Sequence, residues 1–362
     1  FVASPHRASP AKLRATMPES DSEPSTGAAA PPTEPAAESS GVAALRELNE
    51  MGSAKAPLIC PGHSRPVAGI EFSDPTDDGV FLISACHDKT AQIRNGATGD
   101  WIGTFEGHKG AVWGAALNKP ANLAATCSGD FSAKVWNALT GDELFELKHR
   151  HIVRACDWSA DSAQLATGGK EAKLRLYDVA QYQSEPALLT GHGAAIKVVK
   201  YLPVAPGTAH GLVLSGSEDK TLRLWDVRTQ AETHRLEFDG SVNSVELSRD
   251  HRTMTVAAGT EVSFWETATL TCTKRFKLPV VEANGYGVNS ATLHPERTIF
   301  VAGGGNFWVY VHDFETGEEL QCNKGHHGPV YGCRFTPDGN TYPSAGDDGT
   351  IRIWDTPKRE DK

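Results

Sequence analysis

The strongest constraint on this chain is that it repeats itself. From Ala56 onward, Gly-His pairs stand at Gly62-His63, Gly107-His108, Gly191-His192 and Gly325-His326, and tryptophan followed by Asn or Asp stands at Trp136-Asn137, Trp225-Asp226 and Trp354-Asp355. Weaker copies fill the gaps. Aligned on these anchors, the histidine position falls at His63, His108, His149, His192, Phe238, Asn284 and His326, in steps of 41 to 46 residues. A fixed period of this length means that each unit is one supersecondary element that cannot bury its apolar face alone. Within a unit, four short alternating segments, such as AVWGAAL, LAATCS, AKVWN and LFEL of the second, are separated by turn clusters such as SGD and LTGD. Such segments are strands joined by tight turns.

A lone four-stranded sheet exposes sticky edges, whereas sheets packed radially about an axis leave only short, protected ones. The expected fold is therefore all-β, a seven-bladed WD40 β-propeller over residues 56–357, followed by a charged end at 358–362. Its ring must close. After Trp354-Asp355 no outer strand follows before Lys362, while Pro57 to Cys60 precedes the first Gly-His without a blade of its own. Leu58 and Ile59 are expected in the outer strand of the last blade, a clasp between chain ends that matters for stability.

Residues 1–55 differ in kind. They are acidic and rich in Pro, Ala and Ser, with too few large apolar residues between Met17 and Ser40 to offset the entropy of ordering, so a disordered tail is expected. Val42, Leu45 and Leu48 recur about a turn apart, and 42–51 can close one short amphipathic helical turn or remain a solvated stub. Phe1 is not an initiator, which leaves Met17 or Met51 as candidate starts; 1–16 is basic and acid-free, a faint likeness to an organellar transit peptide. No apolar run reaches the roughly 18 residues of a membrane-spanning helix, so no membrane partner is expected. With 35 basic against 45 acidic residues, the net charge of -10 argues against a phosphate backbone as the main partner, though it leaves room for local basic patches. The seven cysteines show neither CxxC pairs nor zinc-ligand spacing and are expected to be reduced and mostly buried.

His, Ser or Thr, and Asp recur together, which invites a hydrolase reading. Spacing opposes it. The sets His108, Thr126, Asp130 and Trp136; His192, Ser215, Asp219 and Trp225; and His326, Ser344, Asp348 and Trp354 occur once per strong repeat, whereas a catalytic triad occurs once per active site beside an oxyanion hole. The expected role is a buried chain in which Asp holds His, His meets the hydroxyl, and the hydroxyl meets the indole N–H. The first unit has His63, Ser84 and Asp88 but Arg94 in place of Trp; the third has His149, Thr167, Glu171 and Tyr177. The fifth (Phe238, Thr255, Gly259, Trp265) and sixth (Asn284, Ala302, Asn306, His312) lose most of the pattern and are expected to be the softest. Gly303 to Gly305 lacks the rest of any nucleotide-binding fingerprint, and no cofactor, metal or cluster of channel carboxylates is expected.

The loop carrying His leads into the innermost strand, so residues five beyond it should rim the channel: Ala68, Trp113, Arg154, Lys197, Asn243, Asn289 and Tyr331. Adding Lys170, which precedes a network acid, gives Trp113, Arg154, Lys170, Lys197 and Tyr331 as an aromatic and basic face for an acidic or aromatic peptide. The plain alternative is that Trp113 or Tyr331 packs beneath a neighbouring loop.

Four stretches carry a more specific likeness: Phe81 to Lys119, Ala133 to Leu144, Asn289 to Gly304 and Gly328 to Trp354. With Arg94 at the weak first-blade position, they resemble the serine/threonine kinase receptor-associated protein family, also called unr-interacting protein. The resemblance covers nearly all of Pro57 to Trp354 and none of the tail; the loop Pro203 to His210 and the short C-terminus depart from it. It implies a non-catalytic adaptor of cytoplasm and nucleus. The implied setting is survival-of-motor-neuron-type ribonucleoprotein assembly, and so mRNA processing and splicing, or receptor-kinase signalling. The adaptor would be a monomer within larger complexes, binding proteins rather than nucleic acid directly. The rival reading is a WD40 subunit of a translation-initiation or ribosome-associated complex; a propeller enzyme is the reading from a different class.

Overall fold

The computed structural model describes residues 56–202, 211–279 and 287–357. The expectations for the tail, the helical turn at 42–51, Asn284, the loop at 203–210 and the end at 358–362 lie outside the described residues. Among the described residues every regular element is a β-strand, and the strands form seven four-stranded antiparallel sheets. Blade 2 shows the pattern: β6 (Val112–Leu117), β7 (Leu123–Ser128), β8 (Ser132–Asn137) and β9 (Glu143–Lys148) lie in that order from the axis outward. The innermost strands of the others are β2 (Val67–Phe72), β10 (Val153–Trp158), β14 (Ile196–Leu202), β18 (Val242–Leu247), β22 (Val288–Leu293) and β26 (Val330–Cys333).

Sequence alternation explains the packing. The second strand of each blade is buried on both faces, as in β7 and in β3 (Phe81–Cys86), because it lies between neighbouring sheets; outer strands such as β9 alternate and leave one face wet. The core clusters run between blades: Leu147 and Val153 join blades 2 and 3, and Leu174, Ile196 and Trp225 join blades 3 and 4. Trp136 and Trp225 are among the largest fully buried side chains, each contributing about 1.5–3 kcal/mol or more through burial of apolar area.

The ring is closed by strand exchange. β1 (Leu58–Cys60) pairs antiparallel with β28 (Ile351–Asp355), Leu58 opposite Ile353 and Ile59 opposite Arg352, so the outermost strand of blade 7 comes from the start of the described chain. Gly99, in the turn before β5 (Trp101–Phe105), approaches this seam at φ +75°, where a Cβ would stand 2.6 Å from Cys60 Sγ. Only glycine fits there without displacing the clasp.

Candidate protein-binding face and its supporting networks

In all seven blades the pairing of the innermost strand with its neighbour slips by one residue: Val67/Gly69, Val112/Gly114, Val153/Ala155, Ile196/Val198, Val242/Ser244, Val288/Ser290 and Val330/Gly332. The residues bulged out are Ala68, Trp113, Arg154, Lys197, Asn243, Asn289 and Tyr331, the seven positions counted from the histidine anchor. A bulge re-aims the extra side chain out of the pleat. Here all seven line the axial channel.

The contacts of Trp113, Arg154, Lys197, Asn243 and Asn289 bind one blade to the next. Trp113 is half-buried, with the His87 ring 4.3 Å away and the Arg154 guanidinium 4.9 Å from its ring centre. Arg154 Nη1 donates to Glu218 Oε1 at 2.8 Å, and Lys197 Nζ lies 3.7 Å from the same carboxylate and donates to Asn243 at 2.9 Å. Asn243 donates to Val288 O, Asn289 to Val330 O, and Tyr331 Oη to Asp347 at 3.1 Å. Lys170 is exposed in the turn beside them. The basic character expected of this set is therefore reduced: Glu218 neutralises much of Arg154 and Lys197, and Lys170 stays open. Trp113 packs against the turn of the neighbouring blade through His87 as well as against Arg154.

Three residues further along the same strands lies a second belt: Glu71, Asp157, Lys200, Glu246 and Arg334, which line a cavity of about 280 Å³. Lys200 reaches across the axis to Glu71 and lies 3.5 Å from Asp157, whose other oxygen accepts the Tyr201 N–H at 2.7 Å. Burial pushes Asp157 up to about 7 and Lys200 down to about 7. Arg334 donates to Ser290 at 3.0 Å and lies 4.0 Å from Glu246. The expectation of no clustered carboxylates in the channel is thus corrected. They are present, but Lys200 and Arg334 stand among them.

The His/Ser/Thr/Asp sets are buried chains. His108 Nδ1 meets Asp130 at 2.8 Å and Nε2 meets Thr126 Oγ1 at 2.8 Å, which accepts the Trp136 indole N–H at 2.8 Å. Blade 4 repeats this with His192, Asp219, Ser215 and Trp225 at 2.7–2.8 Å, and blade 7 with His326, Asp348, Ser344 and Trp354 at 2.8–3.1 Å. Burial holds His108 and His192 below the ordinary imidazole value. A neutral ring fits the chain: Nδ1–H donates to the carboxylate and Nε2 accepts the hydroxyl proton. Burial alone would raise Asp130, yet hydrogen bonds from Ser132, the Lys109 N–H and His108 hold it at about 2. In blade 1, Arg94 replaces the tryptophan as a buried guanidinium donating to Gly99 O and Pro61 O, tying the β1–β2 connection to the next turn.

Among the described residues one triad of potential metal ligands converges, His63, Cys86 and Asp88. Its atoms are already used: His63 bonds Asp88 and Ser84, and Cys86 Sγ donates to Arg65 O, as Ser128 and Ser217 do to backbone carbonyls in blades 2 and 4. It is a network variant. All seven cysteines are free thiols, five of them buried.

The WD domain, G-beta repeat model matches residues 99–137, 141–178, 184–226 and 317–355, each window an outer strand plus the three inner strands of the following blade. Over 306 residues the chain is 45% identical to serine-threonine kinase receptor-associated protein of Gallus gallus, covering 84% of each. The chain belongs to the serine-threonine kinase receptor-associated protein family. The Dictyostelium discoideum member is 43% identical over 300 residues, 82% of this chain and 98% of its own length. A more distant relative, eukaryotic translation initiation factor 3 subunit I of Culex quinquefasciatus, is 28% identical over 324 residues. The matched repeat windows end in blades 2, 3, 4 and 7, which include the three complete networks; none ends in blade 1, 5 or 6.

Proposed function

We propose that this family member is a non-catalytic adaptor whose channel-mouth face, built on the seven bulges, holds a protein partner. The observation that carries it is the set of bulges. One frame repeats seven times, yet the bulges present six kinds of side chain, with Trp113, Arg154 and Tyr331 among them, residue types that dominate interface energetics. Against catalysis stands the use of the polar sets: the Ser and Thr hydroxyls of the networks are buried and already bonded to His and Trp. The setting we favour is ribonucleoprotein assembly of the survival-of-motor-neuron type, or receptor-kinase signalling in keeping with the relatives' name, in cytoplasm and nucleus, as a monomer within larger complexes. Its partners are proteins rather than nucleic acid or membrane.

The similarity to an initiation-factor subunit supports the second reading, a translation-linked scaffold. A tagged pull-down from native lysate with mass spectrometry separates them. Small ribonucleoprotein assembly factors, lost on combining Trp113→Ala with Tyr331→Ala in a folded variant, support the first; 40S subunits and initiation factors support the second.

A further inference from the structure

The face just described is nearly balanced in charge, but the loops around it are not. On this face each blade presents the residues after its repeat histidine and those flanking its network acid. In blades 1 to 3 these include Arg65, Lys89, Lys109, Arg150 and Lys170, all exposed. Among the described residues none of the five lies within ion-pair distance of a carboxylate. The nearby acids are engaged: Asp88 with His63 and Thr90, Asp130 with His108 and Ser132, Glu171 with Arg175. In blades 4, 5 and 7 the corresponding positions carry Glu218, Asp239 and Asp347, with Lys220 as a lone lysine. A chain of net charge -10 thus gathers five open cations on one arc of one face.

Within that arc stands an exposed aromatic. Phe131 has φ 69°, a left-handed conformation that is unfavourable for a bulky side chain, and it remains 46% exposed with the His151 ring 5.4 Å away. Lys89, Ala172 and Lys220 share this turn conformation at the same repeat position, so the repeat geometry itself sets an apolar ring in solvent among cations.

We propose that the loops of blades 1 to 3 form a docking surface for an acidic segment of a protein partner, a run of Asp and Glu carrying an aromatic residue. This deepens the adaptor reading and rests on it. Carboxylates fit Arg65, Lys89, Lys109, Arg150 and Lys170, and an aromatic or aliphatic side chain fits Phe131 and His151. Nucleic acid fits less well. The Trp113 ring is already packed against the tilted His87 ring and the Arg154 guanidinium, so it does not stand free as a base-stacking platform. A polyanion longer than the arc would also meet Glu218, Asp239 and Asp347 at its ends.

The test uses the purified full chain and fluorescence anisotropy with three labelled probes: an acidic peptide of about 12 residues with one central Trp, a Gly/Ser peptide of equal length, and an oligouridine of equal length. The acidic peptide should bind at least about tenfold more tightly than the Gly/Ser peptide and weaken as salt rises from about 50 to about 300 mM. Combined Arg65→Gln, Lys89→Gln, Lys109→Gln, Arg150→Gln and Lys170→Gln, all exposed and outside the networks, should lose about tenfold or more. Combined Arg228→Gln, Arg235→Gln and Lys277→Gln elsewhere on the surface should stay within about twofold. Equal binding of the acidic and Gly/Ser peptides, or an unchanged affinity in the fivefold variant, overturns the proposal, as does oligouridine binding more tightly than the peptide at the same residues. The pull-down with the Trp113 and Tyr331 variant judges the adaptor reading separately, so failure of the acidic-segment proposal is distinguishable from failure of the adaptor reading.

Discussion

Blades 2, 4 and 7 are held by hydrogen bonds, whereas blades 5 and 6 are held by packed rings. In the first group, three buried side chains and a half-buried carboxylate satisfy one another from carboxylate to indole. In blade 5, Phe238 takes the histidine position and packs edge-on to Trp265 at 5.8 Å; Trp265 turns its N–H to Ser263 on its own strand, and Thr255 Oγ1 is buried with no partner among the described residues. Where the chain is absent, aromatics cluster: Phe264 lies 5.2 Å from Phe300 and 4.9 Å from Phe314, and Phe300 stacks on Phe276 at 5.3 Å and on His312 at 5.0 Å. The same blade can be stabilised by either device. The polar one is directional and fails if any member is lost; the apolar one tolerates exchange but depends on filling volume.

The largest test of this contrast removes volume. Phe300→Ala should destabilise by about 3–5 kcal/mol in chemical denaturation, because a fully buried ring leaves a cavity between blades 5 and 6. Next comes one substitution with opposite signs. Thr126→Val strips the hydroxyl that joins His108 to Trp136 and should cost about 1–3 kcal/mol, since both partners are left buried and unpaired. Thr255→Val removes a hydroxyl that has no partner among the described residues and should be neutral or stabilise by up to about 1 kcal/mol, measured by the same denaturant midpoint. Equal costs at the two sites would break the comparison.

The smallest effect is that of pH. Burial holds His108 and His192 below the ordinary value and His149 down to about 4, so protons bind the unfolded chain more readily. The stability they contribute is complete above the unfolded value of about 6.5 and is lost as pH falls through the folded value. For His149 the window runs from about 6.5 down to about 4. Hydrogen exchange referenced to intrinsic rates should show protection of β11 (Gln164–Gly169) and β12 (Lys173–Asp178), which carry Thr167 and Tyr177 beside His149, falling across that window, while β19 (Thr253–Ala258), whose blade lacks the network histidine, changes less.

Much of this was legible in the sequence, for a physical reason: the histidine anchor fixes where each inner strand begins. That register located the seven-unit ring, the clasp at Leu58 and Ile59 and the four-residue chains. It also located the bulge positions, although counting did not show that they were bulges. The charged belt escaped for the same reason. A bulge inverts the alternation beyond it, so simple parity from Trp113 or Lys197 does not lead to Glu71, Asp157 or Lys200. The aromatic cluster of blades 5 and 6 was hidden because its members come from different strands, and lost polar anchors looked like softness alone. The neutralisation of Arg154 and Lys197 by Glu218 required three-dimensional proximity between blades.

The account's central claim is that partners seat on the face of the bulges. Its most direct test is site-specific photo-crosslinking in native lysate, with a photoreactive amino acid at the position of Lys170 on that face or of Thr233 on the outer strand β17 (Ala231–Glu237). The prediction is a discrete crosslinked partner from position 170, diminished by Trp113→Ala, and none from 233. The same partner captured from 233 and not from 170 would place docking on the rim and contradict the account.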